Sequence, residues 1–367
     1  MLYTEGKARI ECSKSTFLNP KMAGLRDLSV LFVRALGGDD KSLLDATAAT
    51  GIRGIRYGLE AGIKRITLID INKGACRDAK ANLKRNGVKA ALVNDSVQGY
   101  ANRGNGPFDI IDLDPFGSPV PYLYDIMKLC HGDTALMVTA TDTAVLCGAH
   151  AAACLKQYGA RPLHNELCKE AGTRILLGFI ARAAAQFNFG ISVHLSISNM
   201  HYMRVFLSLR KGAKEAVESV KQTGFAASCR ECRFFAASKG TVPCLPQRCG
   251  ECGAEMERAG PMWLGNLYNK SIVSRMLSAK AGITDNLAEQ LSLIVKEPDT
   301  PFFYSMPAIT RALGIGSVSP GLVIRLLKRR GYDAAPTQFL AEGIKTDAKL
   351  GAIVRAVKES SRAKAQR

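Results

Sequence analysis

The chain reads as an α/β protein: a doubly wound, mostly parallel sheet followed by a smaller C-terminal α+β unit. Three observations predict this. Short apolar runs alternate with helical patterns through the first half of the chain, the pattern of a parallel sheet covered by helices. The runs are nearly continuous in apolar residues, which implies burial on both faces. From Gly212 onward the texture changes to charged, Cys-rich and Gly/Pro-bounded stretches.

The predicted strands are Ser42–Ala48, Arg65–Ile71, Ala90–Asp95, Phe108–Asp114 and Thr134–Asp142, with helices over Ile52–Ala61, Lys73–Asn86 and Val120–Leu129. Asn86-Gly87 closes the second of these helices, because glycine accepts the left-handed conformation that ends a helix. A further helix is expected over Glu166–Phe187 and a late strand over His201–Leu209, so the sheet ends near Arg210. The organisation expected is a domain over residues 1–211 and a C-terminal domain over 212–367 that contains a Cys-rich segment at 229–252. In the second part, Ser271–Lys280, Asp285–Val295 and Val323–Tyr332 have helical patterns, and the basic, Ala-rich tail from Ala348 could fray.

The 367 residues include 34 Gly and 14 Pro, and are 47% hydrophobic and 22% charged. That composition excludes fibrous and disordered classes. Lys and Arg number 50 against 32 Asp and Glu, a formal charge of +18, which favours approach to polyanions. The polar start MLYTEGKARIECSK lacks the apolar run of a secretion signal. The greasiest stretch, Ile175–Ile180, lies between Arg174 and Arg182 and is too short to span a bilayer. A cytoplasmic protein without a membrane association is expected. The 11 cysteines are an odd number, against a fully paired disulfide framework. Cys12, Cys76, Cys130, Cys147, Cys154 and Cys168 stand singly and read as buried free thiols.

Ligands of open α/β sheets bind beyond the carboxyl ends of the strands. The first strand delivers DATAATGIRG there, with Asp45, Thr50, Gly51 and Arg53. Gly51 and Gly54 would let backbone approach a ligand. Asp70 ends the second strand and suits ribose hydroxyls; Asp95 ends the third, before Ser96, and suits an adenine amine. The loop lacks the G-x-G-x-x-G spacing of dinucleotide enzymes. Asp45 would repel a diphosphate and attract the cationic end of S-adenosylmethionine, although a nicotinamide enzyme or another nucleotide-binding fold stays open from this region.

The fourth strand ends in Asp114-Pro115-Phe116-Gly117. An exocyclic base amine is a poor nucleophile because its lone pair is delocalised into the ring. A carboxylate at Asp114 can accept one amine hydrogen and the Pro115 carbonyl the other, and the Phe116 ring can stack on an extruded base. An ordinary strand-to-turn exit would carry similar residues. The methylated amine could also be adenine N6 or a protein glutamine, and a catalytically inactive RNA-binding relative is a further alternative.

Taken together, these segments resemble the tRNA guanine-N2 dimethyltransferases, which modify the guanine at tRNA position twenty-six. EGKARIECSKSTFLNPKMAGLRDLSV, DATAATGIRGIRYGLEAG, LIDIN, NDS, DLDPFGSP, VTATDTAVLCG, HYMRV, GPMWLG and KTDA carry the similarity over nearly the whole chain. The resemblance implies a class I methyltransferase domain, Rossmann-like and doubly wound, and transfer of one and then a second methyl from S-adenosylmethionine to guanine N2. By it, Phe17 would stack on the guanine opposite Phe116, Arg26 would bind the cofactor carboxylate, with Asp27 beside it, and Asp114 would be the catalytic carboxylate. Arg26, Asp45, Thr50, Gly51, Arg53, Asp70, Ile71, Asp95 and Ser96 make up the expected cofactor site.

Cys229-x-x-Cys232 and Cys249-x-x-Cys252 suit a four-thiolate tetrahedral site, with Cys249-Gly-Glu-Cys252-Gly like a zinc-ribbon knuckle. A structural Zn2+ is expected rather than an iron–sulfur cluster; a redox pair or a vestigial site are the alternatives, and Cys244 reads as a spare thiol. Arg325, Lys328, Arg329 and Arg330, extended by Lys345, Lys349, Arg355, Lys358, Arg362, Lys364 and Arg367, supply phosphate-binding charge, although a solvated helix face would explain any one of them. tRNA is the expected partner, and a monomer the expected state. Trp263 reads as a packing anchor, Asp142 as a loop organiser, and no histidine is assigned to catalysis.

Overall fold

The computed structural model describes residues 2–13, 16–38, 40–279 and 284–365. The end of the predicted helix at Lys280, residues Lys14 and Ser15 of the opening segment, and Arg367 of the tail lie outside them. The central sheet has seven strands, numbered here β1 (Ser42–Asp45), β2 (Arg65–Asp70), β3 (Ala91–Asn94), β4 (Phe108–Leu113), β5 (Cys130–Ala140), β6 (Phe189–Ser198) and β7 (Met203–Lys211). Their spatial order is 3-2-1-4-5-7-6. The first five strands are parallel, whereas β7 inserts antiparallel beside β5 and pairs with β6 as a hairpin. The order reverses at β1 and β4, and the crevice beyond their carboxyl ends is where such sheets bind ligands.

Helices α1 (Ala23–Leu36), α2 (Ile52–Ala61), α3 (Lys73–Asn86), α4 (Val97–Asn102), α5 (Val120–Lys128), α6 (Thr143–Leu146), α7 (Ala151–Tyr158) and α8 (Cys168–Ala185) connect and cover the sheet. Local chemistry explains their limits. Asn72 caps α3 by accepting from the Gly74 and Ala75 N–H groups, and Gly87 closes it at φ 64°. Gly54 has a packing role: a Cβ there would stand 2.3 Å from Leu68 Cδ2, so its lack of a side chain lets α2 lie on β2. Gly51, at φ 77°, faces Ala79 and Leu68. Gly54 therefore serves helix–sheet contact, and Gly51 makes the sharp turn into α2 while packing against α3 and β2.

Beyond the sheet come α9 (Ala213–Lys221), a three-stranded antiparallel sheet of Thr223–Cys229, Phe235–Lys239 and Met256–Trp263, α10 (Lys270–Ser278), α11 (Asp285–Lys296) and α12 (Met306–Ala312). Then follow α13 (Pro320–Arg329), a small sheet of Tyr304–Ser305, Ala334–Thr337 and Leu340–Thr346, and α14 (Leu350–Ala365). Leu350–Ala365 is thus helical where fraying was expected. Its Ala352, Ile353, Ala356 and Val357 are buried against Val323 and Leu327 of α13, and that apolar stripe is what holds it. An N-terminal hairpin, Leu2–Glu5 with Ala8–Glu11, precedes α1.

One apolar core runs from Ala8 and Ile10 through the sheet to Trp263, Leu291, Phe302 and Phe339. Trp263 is buried, its indole N–H donating to Asn266 O at 3.0 Å. Gly178 of α8 lies so close to the Met262–Trp263 backbone that a Cβ would stand 3.0 Å from it. A buried ionic group crosses the same contact. Glu170 of α8 meets Arg174 at 2.8 Å and Lys345 at 3.4 Å, Lys345 also meets Glu297 at 3.5 Å, and Phe302 N–H donates to Glu170 at 2.7 Å. Lys345 is therefore part of the interior and is removed from the phosphate-binding surface to which its sequence neighbours had assigned it. Arg325, Lys328, Arg329, Arg330, Lys349, Arg355, Lys358 and Arg362 remain exposed. No helix among the described residues is long and apolar enough to cross a membrane.

Candidate active site

A cavity of about 770 Å³ opens at the carboxyl ends of β1, β2 and β4. Its wall gathers Phe17, Arg26, Thr50, Arg53, Asp70, Ile71, Asp95, Ser96, Asp114, Pro115 and Phe116, together with Asn19, Thr141 and His201. Chain segments far apart in sequence thus meet where the strand order reverses.

At one end, Asp70 accepts from Ala49 N–H and Asn72 N–H, each at 2.8 Å. A carboxylate offers about four acceptor positions, so two lone pairs remain for hydroxyls. Ile71 beside it is 73% exposed and gives the cavity wall an apolar surface. Asp95 accepts from Ser96 N–H at 2.8 Å and pairs with Arg103, and Ser96 caps α4 by accepting from Gly99 N–H at 2.9 Å.

At the other end, Asp114 follows β4 with its N–H donating to Thr47 Oγ1 at 3.2 Å. Arg53 of α2 forms an ion pair with the Asp114 carboxylate and lies 3.6 Å from Asp112. Burial raises the Asp114 pKa, but Arg53 and then Arg204 outweigh it and hold the carboxyl below its ordinary range; Asp114 is ionised. Behind it, fully buried Arg204 of β7 donates to Asp112 at 2.8 Å and to Thr139, and Tyr57 OH donates to Asp112. Asp112, Arg204 and Tyr57 escaped the sequence reading. The available signal was a charged residue in each of two apolar strands, Asp112 in FDIIDLD and Arg204 in HYMRVFLSL.

Asp45 lies outside the cavity wall. It is fully buried, with neither carboxylate oxygen hydrogen-bonded by a described residue. Burial, with Asp112 beside it, pushes its pKa up to about 7. The expected role as a permanent anion at the cofactor is therefore corrected to a neutral or half-ionised group beneath the loop. Thr50 Oγ1 and Arg53 Nη1, by contrast, belong to cavity residues, are buried, and have no hydrogen-bond partner among the described residues. A polar ligand would satisfy them.

Arg26 reaches the same wall from α1. The N-terminal hairpin holds it: Glu5 pairs with its guanidinium, and Asn19 O accepts from it at 3.1 Å. Glu5 also accepts from Arg56 at 2.8 Å, and Asp27 pairs with Arg56 at 2.6 Å. Burial raises Glu5, but its bonds to Arg26 reverse the shift and keep it below the ordinary range.

Phe17 and Phe116, 53% and 74% exposed, meet edge to face with ring centroids 4.8 Å apart and planes at 75°. A base held between two parallel rings needs about 7 Å, twice a stacking distance. The rings must separate to admit one. Thr141 fixes the other side of the loop, its Oγ1 accepting from Gly117 N–H at 2.7 Å and its N–H donating to Gly117 O at 2.9 Å. Asp142 accepts from Tyr158 OH at 2.9 Å, an organising contact.

Away from the cavity, the sulfurs of Cys229, Cys232, Cys249 and Cys252 all lie within 4.8 Å of one another. Two pairs stand at 3.5 and 3.4 Å. A tetrahedron with metal–sulfur bonds near 2.3 Å has edges of about 3.8 Å, so the donor set fits. Both knuckles are closed by backbone bonds, Cys229 N–H to Phe234 O and Cys249 N–H to Ala254 O, each 2.7 Å. Cys244 is exposed and outside the group.

A seven-stranded sheet with this order, an acidic end to β2 and an Asp-Pro-Phe loop over one cavity define a class I methyltransferase-like enzyme. The family model described as N2,N2-dimethylguanosine tRNA methyltransferase matches residues 2–358. The chain is 38% identical over 385 residues to the tRNA (guanine(26)-N(2))-dimethyltransferase of Thermococcus kodakarensis, covering 96% of this chain and 98% of that one. It is 33% identical to the enzyme of the same name from Methanobrevibacter smithii, covering 96% and 94%. The structure of Trm1 from Pyrococcus horikoshii with S-adenosyl-L-methionine superposes with a TM-score of 0.90 at 35% identity, over 97% of this chain and 99% of that chain. The chain belongs to the N2,N2-dimethylguanosine tRNA methyltransferase family.

Proposed function

We propose that this protein transfers methyl groups from S-adenosylmethionine to N2 of guanine 26 in tRNA, giving N2-methyl- and then N2,N2-dimethylguanosine. The observation that carries the reading is an ionised Asp114 on the cavity wall beside Pro115 and two exposed phenylalanines. S-adenosylmethionine supplies, when bound, a methyl group on a sulfonium centre. Thr50 Oγ1 and Arg53 Nη1 would bind its methionine end, with Arg26 beside them; Asp70 would hold the ribose, and Ile71, Asp95 and Ser96 would flank the adenine. Asp114 and the Pro115 carbonyl accept the two amine hydrogens of guanine and draw the nitrogen lone pair out of conjugation. Phe17 and Phe116 part to clasp the base, which must leave its RNA stack. Once nitrogen has bonded to carbon, Asp114 takes the surplus proton or passes it to water.

Four thiolates of this arrangement would hold Zn2+ as a structural ion, organising a segment whose fully buried apolar cluster among the described residues is Ala227, Cys229, Cys249 and Met256. The exposed basic faces of α13 and α14 would position tRNA phosphates, as part of a C-terminal unit over residues 212–367. The deciding experiment is incubation with labelled S-adenosylmethionine and unmodified tRNA, followed by nucleoside analysis and site mapping. Label in N2-methylated guanosine at position 26 is expected. Label confined to adenosine, to protein or to no acceptor would overturn the proposal.

A further inference from the structure

Positive charge is also concentrated away from the C-terminal unit, on a helix that starts at the cavity. We propose that the outward face of α3 is an RNA-backbone ridge that guides the strand next to the target nucleotide to the cavity mouth. The inference rests on the tRNA reading above and adds to it a contact surface on the sheet-bearing part of the chain.

Lys73, Arg77, Lys80 and Lys84 are all exposed. They recur at intervals of 4, 3 and 4 residues along α3, so at about 100° per residue they fall within an arc of about 60°. They form one stripe. Ala75, Cys76, Ala79 and Leu83 lie on a different face and are buried. Asp78 is the one carboxylate of α3, and it stands off the stripe, accepting from Ser13 N–H at 3.0 Å and Ser13 Oγ at 2.7 Å. Arg85, also off the stripe, pairs with Glu11. Among the described residues, none of the four stripe cations has an ion-pair partner within 4.0 Å.

Solvation alone does not account for this pattern. Like charges three or four residues apart repel and destabilise a helix, and α3 carries three such pairs in succession. Lys73 opens the helix, with no acidic residue in the first turn, at the end where the helix dipole disfavours a cation. Elsewhere the chain sets opposite charges at these spacings: Lys221 meets Glu218 on α9, and Lys128 meets Asp125 on α5, each at 2.7 Å. A polyanion lying on α3 would relieve its repulsion.

The place of the stripe identifies that polyanion. Ile71 and Asn72, directly before it, and Ala75 in its first turn line the cavity. A nucleotide extruded into the cavity stays joined to phosphates on both sides, so its strand must cross the mouth. From Lys73 to Lys84 the helix rises about 17 Å, with a cation about every 5 to 6 Å, on the scale of the separation between successive phosphates. Such charges position a backbone rather than read bases.

The test uses the full-length, metal-loaded protein and an unmodified tRNA transcript, with filter binding over about 0.05 to 0.2 M salt. Arg77→Gln with Lys80→Gln should weaken binding about 10-fold near 0.1 M salt and make the slope of log K against log salt shallower by about 1.4 to 1.8. Lys211→Gln with Lys214→Gln removes the same charge from exposed positions outside the stripe and should keep the parent's slope and methyl-transfer rate. Parental S-adenosylmethionine binding and thermal unfolding would show that the stripe variant is folded. In the parent, tRNA should protect Lys73, Lys80 and Lys84 from amine acylation, mapped by mass spectrometry, and polyglutamate, a probe for acidic protein partners, should not. Equal slopes for the two double variants, unprotected stripe lysines, or equal protection by polyglutamate would each refute the ridge. Methylation of guanine 26 with the stripe unprotected overturns the ridge and leaves the proposed reaction standing; a protected stripe without methylated guanosine does the opposite.

Discussion

Asp114→Asn separates the chemistry of the site from its architecture. The amide keeps the shape of the carboxyl but loses the charge and the capacity to take a proton. A second buried ionic group, behind the cavity, holds three carboxyls, on Asp45, Asp112 and Asp114, near two guanidiniums, on Arg53 and Arg204. With Asp45 raised to about 7 by burial first and Asp112 second, a protonated Asp45 leaves two anions against two cations. Removing the Asp114 charge leaves Arg53 with Asp112 at 3.6 Å, and Asp45 can ionise in compensation. Asp114 is also one-fifth exposed, so water relieves part of the loss. The stability cost should stay at about 1 to 3 kcal/mol, that of one hydrogen bond to a charged group. The rate should fall by about 10² to 10⁴, the contribution of a positioned proton acceptor, equivalent to about 3 to 5 kcal/mol of barrier. Single-turnover methylation of unmodified tRNA gives the rate, equilibrium binding of labelled S-adenosylmethionine tests the pocket, and urea unfolding gives the stability. A parental single-turnover rate would remove Asp114 from the chemistry. Loss of cofactor binding in step with the rate would show that its role is architectural.

Other perturbations follow from the same structure. Lys345→Met leaves Glu297 in the interior without its cation, while Glu170 keeps Arg174 at 2.8 Å, and should cost about 3 to 5 kcal/mol in urea unfolding, whereas Lys328→Met on exposed α13 should leave unfolding unchanged and weaken tRNA binding with a shallower salt dependence; the reverse pattern would place Lys345 on the phosphate-binding surface. Cys229→Ser should abolish binding of one zinc equivalent and expose residues 229–256 to limited proteolysis while S-adenosylmethionine still binds, and a metal-free, protease-resistant parent would contradict the four-thiolate fit. His194 is held down to about 4 from 6.5 by burial and then Arg275. The unfolded chain therefore binds the proton that the folded chain refuses. This contribution is complete above about pH 6.5 and is lost as pH falls toward 4, up to about 3 kcal/mol. His194→Gln, compared with the parent by unfolding across that window, should lose this part of the acid sensitivity; parallel curves would show that His194 titrates normally.

The sequence alone determined the parallel strands, the crevice at their carboxyl ends, the loop residues around it and the two Cys-x-x-Cys knuckles. These are properties of local pattern: apolar periodicity, a strand-end acid, a glycine turn and a fixed ligand spacing all survive without knowledge of distant contacts. Tertiary structure decided what each charge does. Asp45 and Lys345 look like solvent-facing ions in sequence and are interior groups in the fold, because burial depends on which elements pack over a residue. Arg204 and Asp112 are 92 positions apart and became partners only when β7 inserted near β4. Gly54 is a packing residue because Leu68 fills the space of its missing side chain.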